Sequence, residues 1–448
     1  MAGTIRAARL PRQTGTAGWD AILGPRKPQA PLEGRRTCDF AVIGGGFAGL
    51  SAARRLLQLE PGASIAVIEA GEIGKGGAGR NSGFMIDLPH ELTSEDYAGE
   101  SVASDRGLIA LNRHAIAFAE GMVQEYGIPP GYFRREGKVN GAVDDRAHVQ
   151  NAAYAAHLTT LGEPSEMLDR QAMQALTGSA YYRSGLYTPG TVMLQPAGYI
   201  RGIAKGLARR VAVFENSPVA ELAELDGGWA VRTAGGELQA GAVILANNGH
   251  LESFGFAARR LMHIFLFATM TGELSPGALR KLGGAANWGV TPSDPMGTTM
   301  RRISTAQGGN RIITRTMAKL RPEMVATAGD LRAADRMMRA KFDARFPQLA
   351  GTRMEFSWAG HLCLARNGSS VAGNIGRNLY AACVCNGLGT TRSTLAGIAA
   401  AEAALGQTSD VTRFFAAQPL PERLPAPHLA KLGANLFIRW KEWRARNE

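Results

Sequence analysis

The stretch Gly44-Gly45-Gly46-Phe47-Ala48-Gly49 is the densest chemical signal in the chain. Gly44, Gly46 and Gly49 give G-x-G-x-x-G, a spacing suited to a dinucleotide pyrophosphate. The first glycine makes a tight turn, the second lets the backbone approach the phosphates, and the third lets a helix pack on a strand. Phe47 and Ala48 lie inside the turn, where backbone N–H groups of an opening helix face phosphate charge. Glu69 follows 20 positions after Gly49. Its carboxylate, with Ala70 beside it, can accept hydrogen bonds from ribose hydroxyls.

These residues need elements that position them. Asp39-Phe40-Ala41-Val42-Ile43 reads as a buried parallel strand ending in glycine. A helix from Gly49 to Leu59 and a strand at Ile65–Ile68 complete one βαβ unit. A helix starting at Pro196 and strands near 211–214, 229–233 and 242–246 give a second region of this character. A strand at 379–384, the loop Asn386-Gly387-Leu388-Gly389 and a helix from Ser393 give a third. The expected fold class is α/β: a Rossmann-type domain assembled from discontinuous segments, plus an α+β substrate domain with a mixed sheet. The expected segments are 37–98, 194–258 and 356–410 for the first, and 99–193 and 259–355 for the second. Residues 1–36 read as a loop-like extension in which Trp19, Ile22 and Leu23 can dock. Residues 411–448 read as a tail ending in a basic amphipathic helix.

A second glycine-rich stretch, Gly76-Gly77-Ala78-Gly79-Arg80-Asn81-Ser82-Gly83, follows the acid. It can wrap a ribityl chain and present N–H groups to a flavin ring. With Gln195-Pro196-Ala197, Ser217-Pro218-Val219 and Gly387-Leu388-Gly389, the constellation resembles the D-amino-acid oxidase superfamily, in its γ-glutamylputrescine oxidase-like branch, over roughly 39–406. The resemblance implies FAD, with Val219 at the adenine, and Gly387, Leu388, Gly389 and Thr390 at the pyrimidine end of the flavin. Asn247, at the end of a strand near the flavin, joins this set. Some relatives attach FAD covalently through a His or a Cys. Those positions correspond here to Asn81 or Ser82 and to about Gly360, so non-covalent FAD is expected, with a thioether to nearby Cys363 as the minor alternative.

The resemblance also implies hydride transfer from the carbon beside a neutral amine to flavin N5, giving an imine that hydrolyses. Sarcosine-oxidase relatives hold a carboxylate with two bases; Asp87 and Thr391 stand there instead. Asp87 either draws in a cationic amine or caps a turn. His361 sits where relatives place residues near the flavin, or else is a core histidine. Of Arg301 and Arg302, adjacent on a strand, one points inward and could bind an anion. His250 and His90 are weaker site candidates. Cys383 and Cys385 alternate on a strand and lack zinc spacing, so no metal is expected.

The chain has 448 residues, 45% hydrophobic and 20% charged, which suits a globular protein of two lobes. Four cysteines fit a reducing compartment. The net charge of +12 draws anionic partners. No dense Lys/Arg run with interleaved aromatics points to nucleic acid, and no window spans a membrane. A cytoplasmic location is expected, with peripheral contact to the inner membrane as a variant. Leu429, Leu432, Leu436, Phe437, Trp440 and Trp443 form a helical stripe among Lys and Arg. It can lie on an anionic bilayer or pack on the body; packing is the expectation. The leading function is oxidation of an amine or N-substituted amino acid. The alternatives are a membrane-surface dehydrogenase passing electrons to quinone, and an RNA-modifying flavoprotein.

Overall fold

The computed structural model describes residues 3–89 and 101–448. Five parallel strands run in the order Ala212–Phe214, Ile65–Ile68, Gly34–Ile43, Gly236–Leu245 and Leu379–Cys383. Phe40, Ala41, Val42 and Ile43 in the middle strand are all buried. An apolar run without alternation is what a strand covered on both faces requires. That strand starts at Gly34, earlier than Asp39, because residues 34–38 pair with 236–240.

On one face the helices Phe47–Leu59 and Gly389–Ala404 pack side by side, joined by Pro196–Leu207 and Val102–Tyr126. Gly397 makes the first contact close: a Cβ there would meet the Ala48 carbonyl carbon at 3.0 Å. On the other face Glu221–Leu225 and Gly228–Arg232 extend the same sheet as an antiparallel meander over Leu222, Trp229 and Val231.

A second, eight-stranded sheet is mixed. Its order is Met354–Ala365, Leu261–Thr271, Arg311–Leu320, Thr299–Ile303, Trp288–Pro292, Lys138–Ala142, Ser184–Thr188 and Glu166–Leu168. Only the pair 288–292 with 138–142 is parallel. The expected fold class is therefore borne out.

Three placements differ from the sequence expectation. Met354–Ala365, placed from sequence within the first lobe from 356 onward, pairs along its length with Leu261–Thr271. Val102–Tyr126 packs on the helices of the first lobe, because Ala115, Ile116, Ala119 and Met122 share its core. The N-terminal extension is built in: Thr4–Arg6 pairs with Glu221–Ala223, and Trp19 is fully buried.

Candidate functional site

A cavity of about 520 Å³ opens at the carboxyl end of the parallel strands, where α/β sheets hold ligands. Gly44 ends the middle strand with φ +114, and a Cβ there would meet the Ala246 carbonyl oxygen at 2.6 Å. Gly49 does not line the cavity. It sits against Gly44, whose carbonyl carbon would lie 3.1 Å from an added Cβ, which is the packing role its spacing assigned. Gly44, Gly46, Phe47 and Ala48 do line it.

The helix Phe47–Leu59 has Gly46 at its N-cap with no side-chain cap, and Gly389–Ala404 likewise has Leu388. Among the described helices of eight or more residues, one other lacks such a cap, Pro427–Arg444. The rest use Ser101, Asp144, Asp169, Gln195 or Thr327. Two sets of unsatisfied N–H donors and two positive dipole ends thus face the cavity, which suits an anionic pyrophosphate at one and a polar ring edge at the other.

Glu69 lies at the wall with Ala70. Its Oε2 accepts from Gly45 N at 2.8 Å and its Oε1 from Gly71 N at 3.1 Å. Burial pushes its carboxyl up despite these bonds. Val219 lines the same end, and Asn247 lies nearby with a buried Nδ2 that has no hydrogen-bond partner. An orphaned buried donor turned to a cavity fits an acceptor on a bound group.

The second glycine-rich stretch is held from several sides. Arg80 donates to the carbonyls of Lys75 (2.7 Å), Thr14 (3.0 Å), Gly15 (3.0 Å) and Ala359 (3.1 Å). Burial lowers its pKa to about 10. Asn81 bridges Ala78 O and Gly83 N at 2.6 and 2.7 Å, while Trp19 Nε1 donates to Asn81 O at 2.9 Å. Gly77, Ala78, Arg80, Asn81, Ser82 and Gly83 line the cavity; Gly79 instead packs on Gly74. On the far side Asn248 Oδ1 accepts from Val384 N (3.1 Å) and Cys385 N (3.3 Å). That grip holds Val384, a β-branched residue, at φ +65, a strained geometry worth roughly 1–3 kcal/mol. Gly387, Leu388, Gly389 and Thr390 follow at the wall. The helix starts at Gly389, earlier than Ser393, so its N-terminus reaches the cavity.

Three expected catalytic residues lie elsewhere. Asp87 is buried and does not line the cavity; its Oδ2 is 3.3 Å from Arg113. Arg301 does point inward, as strand alternation requires, but its acceptors are protein carbonyls: Leu194 (2.6 Å), Ser82 (3.1 Å) and Gly83 (3.2 Å). It lies over the Trp19 ring at 5.0 Å, and burial pushes it down to about 9. Arg302 points the other way, onto Gly283 and Gly284. His90 lies outside the described residues. Cys363 is buried in the core beside Leu245 and Cys383, while its neighbours Leu362 and Leu364 face the cavity.

His361 does line the cavity, with His250. Its ring stacks on Phe265 at 4.9 Å and its Nε2 lies 3.1 Å from His263 Nδ1. His263 Nε2 is 2.6 Å from Glu252 Oε2. His263 thus bridges Glu252 and His361, one ring nitrogen to each, and a single proton serves the 3.1 Å contact between the two imidazoles. Burial, with His263 and His250 nearby, drives His361 well below the usual histidine range. Burial also takes His250 to about 4.

His263, Glu252 and Arg315 escaped sequence reasoning, though Arg315 lines the cavity, as does Cys385, which the sequence raised only as a metal ligand. Arg315 comes from the second sheet, opposite Thr299 and Ala268, which also line it. Lys138 lies behind the wall, 3.4 Å from Thr291, and burial lowers it to about 8. Strand register brings these side chains together, and no local pattern announces it.

A parallel sheet with a glycine turn, an oriented acid and two uncapped helix ends defines a dinucleotide-binding protein. The chain belongs to the FAD dependent oxidoreductase (DAO) family, whose model matches residues 39–403. It is 26% identical over 394 residues to a probable oxidoreductase OrdL of Haemophilus influenzae, covering 86% of each chain. It is also 26% identical over 389 residues to the gamma-glutamylputrescine oxidoreductase of Escherichia coli, covering 86% of this chain and 87% of that one. Glycine oxidase from Geobacillus kaustophilus shares the fold at TM-score 0.68 and 18% identity, over 84% of this chain and 96% of that one. The expected superfamily, branch and FAD dependence are thereby borne out.

Proposed function

We propose that this flavoprotein oxidises an amine or N-substituted amino acid at the C–N bond, giving an imine that water hydrolyses. Bound FAD supplies the two-electron acceptor that takes hydride from the carbon beside nitrogen. Gly44–Ala48 and Glu69 would hold the pyrophosphate and ribose, Val219 the adenine side, and Gly77–Gly83 with Gly387–Thr390 the flavin ring. The single observation that carries the reading is the composition of the opposite wall. Ala268, Leu362 and Leu364 are apolar, and Arg315 supplies a cation. Such a wall excludes water and disfavours an ammonium, so the amine binds neutral, as loss of hydride from its α-carbon requires. His250 and His361, kept neutral by burial, add no positive charge at neutral pH. The family relatives named for gamma-glutamylputrescine and glycine oxidation support the substrate class.

The test is anaerobic flavin bleaching against a panel of primary amines, secondary amines and N-substituted amino acids. At least one class should reduce the flavin within seconds. Dithionite reducing it while no panel member does would sink the reading. Arg315→Gln should raise KM for carboxylate-bearing members by about 10–100-fold, the worth of a charged hydrogen bond, and leave simple amines unchanged.

A further inference from the structure

The C-terminal helix Pro427–Arg444 divides its apolar residues between two sides. Ala434 and Ile438 turn inward onto Ile264, Ala318 and Leu320. Asn435 accepts from Leu320 N at 3.0 Å and donates to Leu320 O at 3.2 Å, and Glu442 accepts from Ala318 N at 2.8 Å. These bonds satisfy the strand Arg311–Leu320 beyond its pairing with 299–303. Leu432, Leu436, Phe437, Trp440 and Trp443 face outward, 63, 57, 58, 47 and 61% exposed. The expected packing of this stripe on the body is therefore overturned, because the inward side is already filled by smaller residues. Among the described residues, half of the exposed large hydrophobics lie on this one helix.

Charge sorts in the same way. Lys441 lies 5.8 Å from the Phe437 ring centroid, Arg444 5.1 Å from Trp440, and Arg446 4.7 Å from Trp443. Arg439 is exposed beside them. The two acids of the segment both turn inward: Glu442 to Ala318, and Glu448 to Ser293 N (3.0 Å) and Val143 N (3.2 Å). The outward side beyond Lys431 thus presents four cations among five exposed apolar side chains and none of the segment's own carboxylates.

We propose that this face is an interfacial anchor that docks on an anionic bilayer. Tryptophan and leucine reach the acyl boundary while Lys and Arg meet lipid phosphates, the division an in-plane amphipathic helix uses. A two-fold contact with a second copy would set these four cations against their own kind, which argues for lipid as the occupant. The cavity reaches this helix, since inward-turned Ile438 lines it together with exposed Leu10.

The experiment sediments the full-length, FAD-loaded chain with vesicles of phosphatidylcholine, alone or mixed with phosphatidylglycerol. Binding to the mixed vesicles, weak binding to the neutral ones and release by salt are expected. Arg439→Glu with Lys441→Glu should lower partitioning roughly fivefold per cation removed. Trp440→Ser with Trp443→Ser should abolish the tryptophan blue shift on binding. Both variants should keep flavin absorbance and amine turnover, so this proposal fails or stands apart from the reaction assigned above. Wild-type protein left in the supernatant with anionic vesicles overturns it, as does equal binding by both variants. A dimer that the tryptophan variant turns to monomer, without vesicle binding, assigns the face to a second copy instead.

Discussion

Residues 3–36 and 427–448 both lie outside the span matched by the family model, and both carry tryptophan among basic residues. The N-terminal segment is absorbed. Trp19 is fully buried with its N–H satisfied by Asn81, and Arg26 pairs with Glu215, whose side chain is fully buried. The C-terminal segment touches the body through small and polar residues and leaves its rings outside. The difference teaches that residue type alone does not decide burial. The N-terminal tryptophan meets a groove that offers an acceptor for its N–H and a buried cation for its ring face. The C-terminal rings stay largely exposed against cations of their own segment.

Substitutions can break or sharpen this contrast. The largest effect is expected at Trp19→Ala, which empties a core position and frees Asn81 in the glycine-rich loop. It should lose about 3–5 kcal/mol, read as a lower thermal midpoint with earlier flavin release. A loss under 1 kcal/mol would mean the extension is not integral.

Glu215→Gln comes next. Burial alone would push Glu215 up, but Arg26 and the N–H groups of Gln29 and Ile73 hold it below the usual carboxylate value. Its stabilisation is full above the unfolded pKa, about 4.3, and drains as pH falls through the lower folded value. The variant should cost on the order of 3 kcal/mol at neutral pH and flatten the acid limb of a denaturation-versus-pH curve. An unchanged acid limb would rule out this pair as its source.

Asn435→Ala unpairs Leu320 on both its N–H and its C=O. About 1–3 kcal/mol should be lost, with hydrogen exchange faster at Leu320 and slow elsewhere. The smallest effect belongs to Trp440→Ser and Trp443→Ser, within about 0.5 kcal/mol each in urea melts. A loss of several kcal/mol would show that the stripe packs on protein after all.

Legibility in the sequence followed locality. The glycine turn, Glu69 and the βαβ unit could be read because their residues are close along the chain and their spacing is the geometry. The strand Met354–Ala365 was misplaced because its partner, Leu261–Thr271, lies about ninety residues away. His361 was visible, yet His263 and Glu252 were not: the chain of contacts exists only once 263 and 361 fall on neighbouring strands. Of Arg301 and Arg302, one was expected to point inward and bind an anion; Arg301 is the inward one, and it holds protein carbonyls. Alternation gives direction, while the acceptors come from loops at 82–83 and 194 that no pattern ties to 301. The C-terminal stripe was legible as amphipathic, but amphipathicity names no partner.

Arg301 has a consequence for how molecules travel. Its strand belongs to the eight-stranded sheet, and its guanidinium grips carbonyls of the glycine-rich loop beside the parallel sheet. Swinging the two lobes apart like a hinge would strip a buried cation of its acceptors, at a penalty of several kcal/mol. Ligand exchange therefore proceeds with the two lobes riveted together at Arg301.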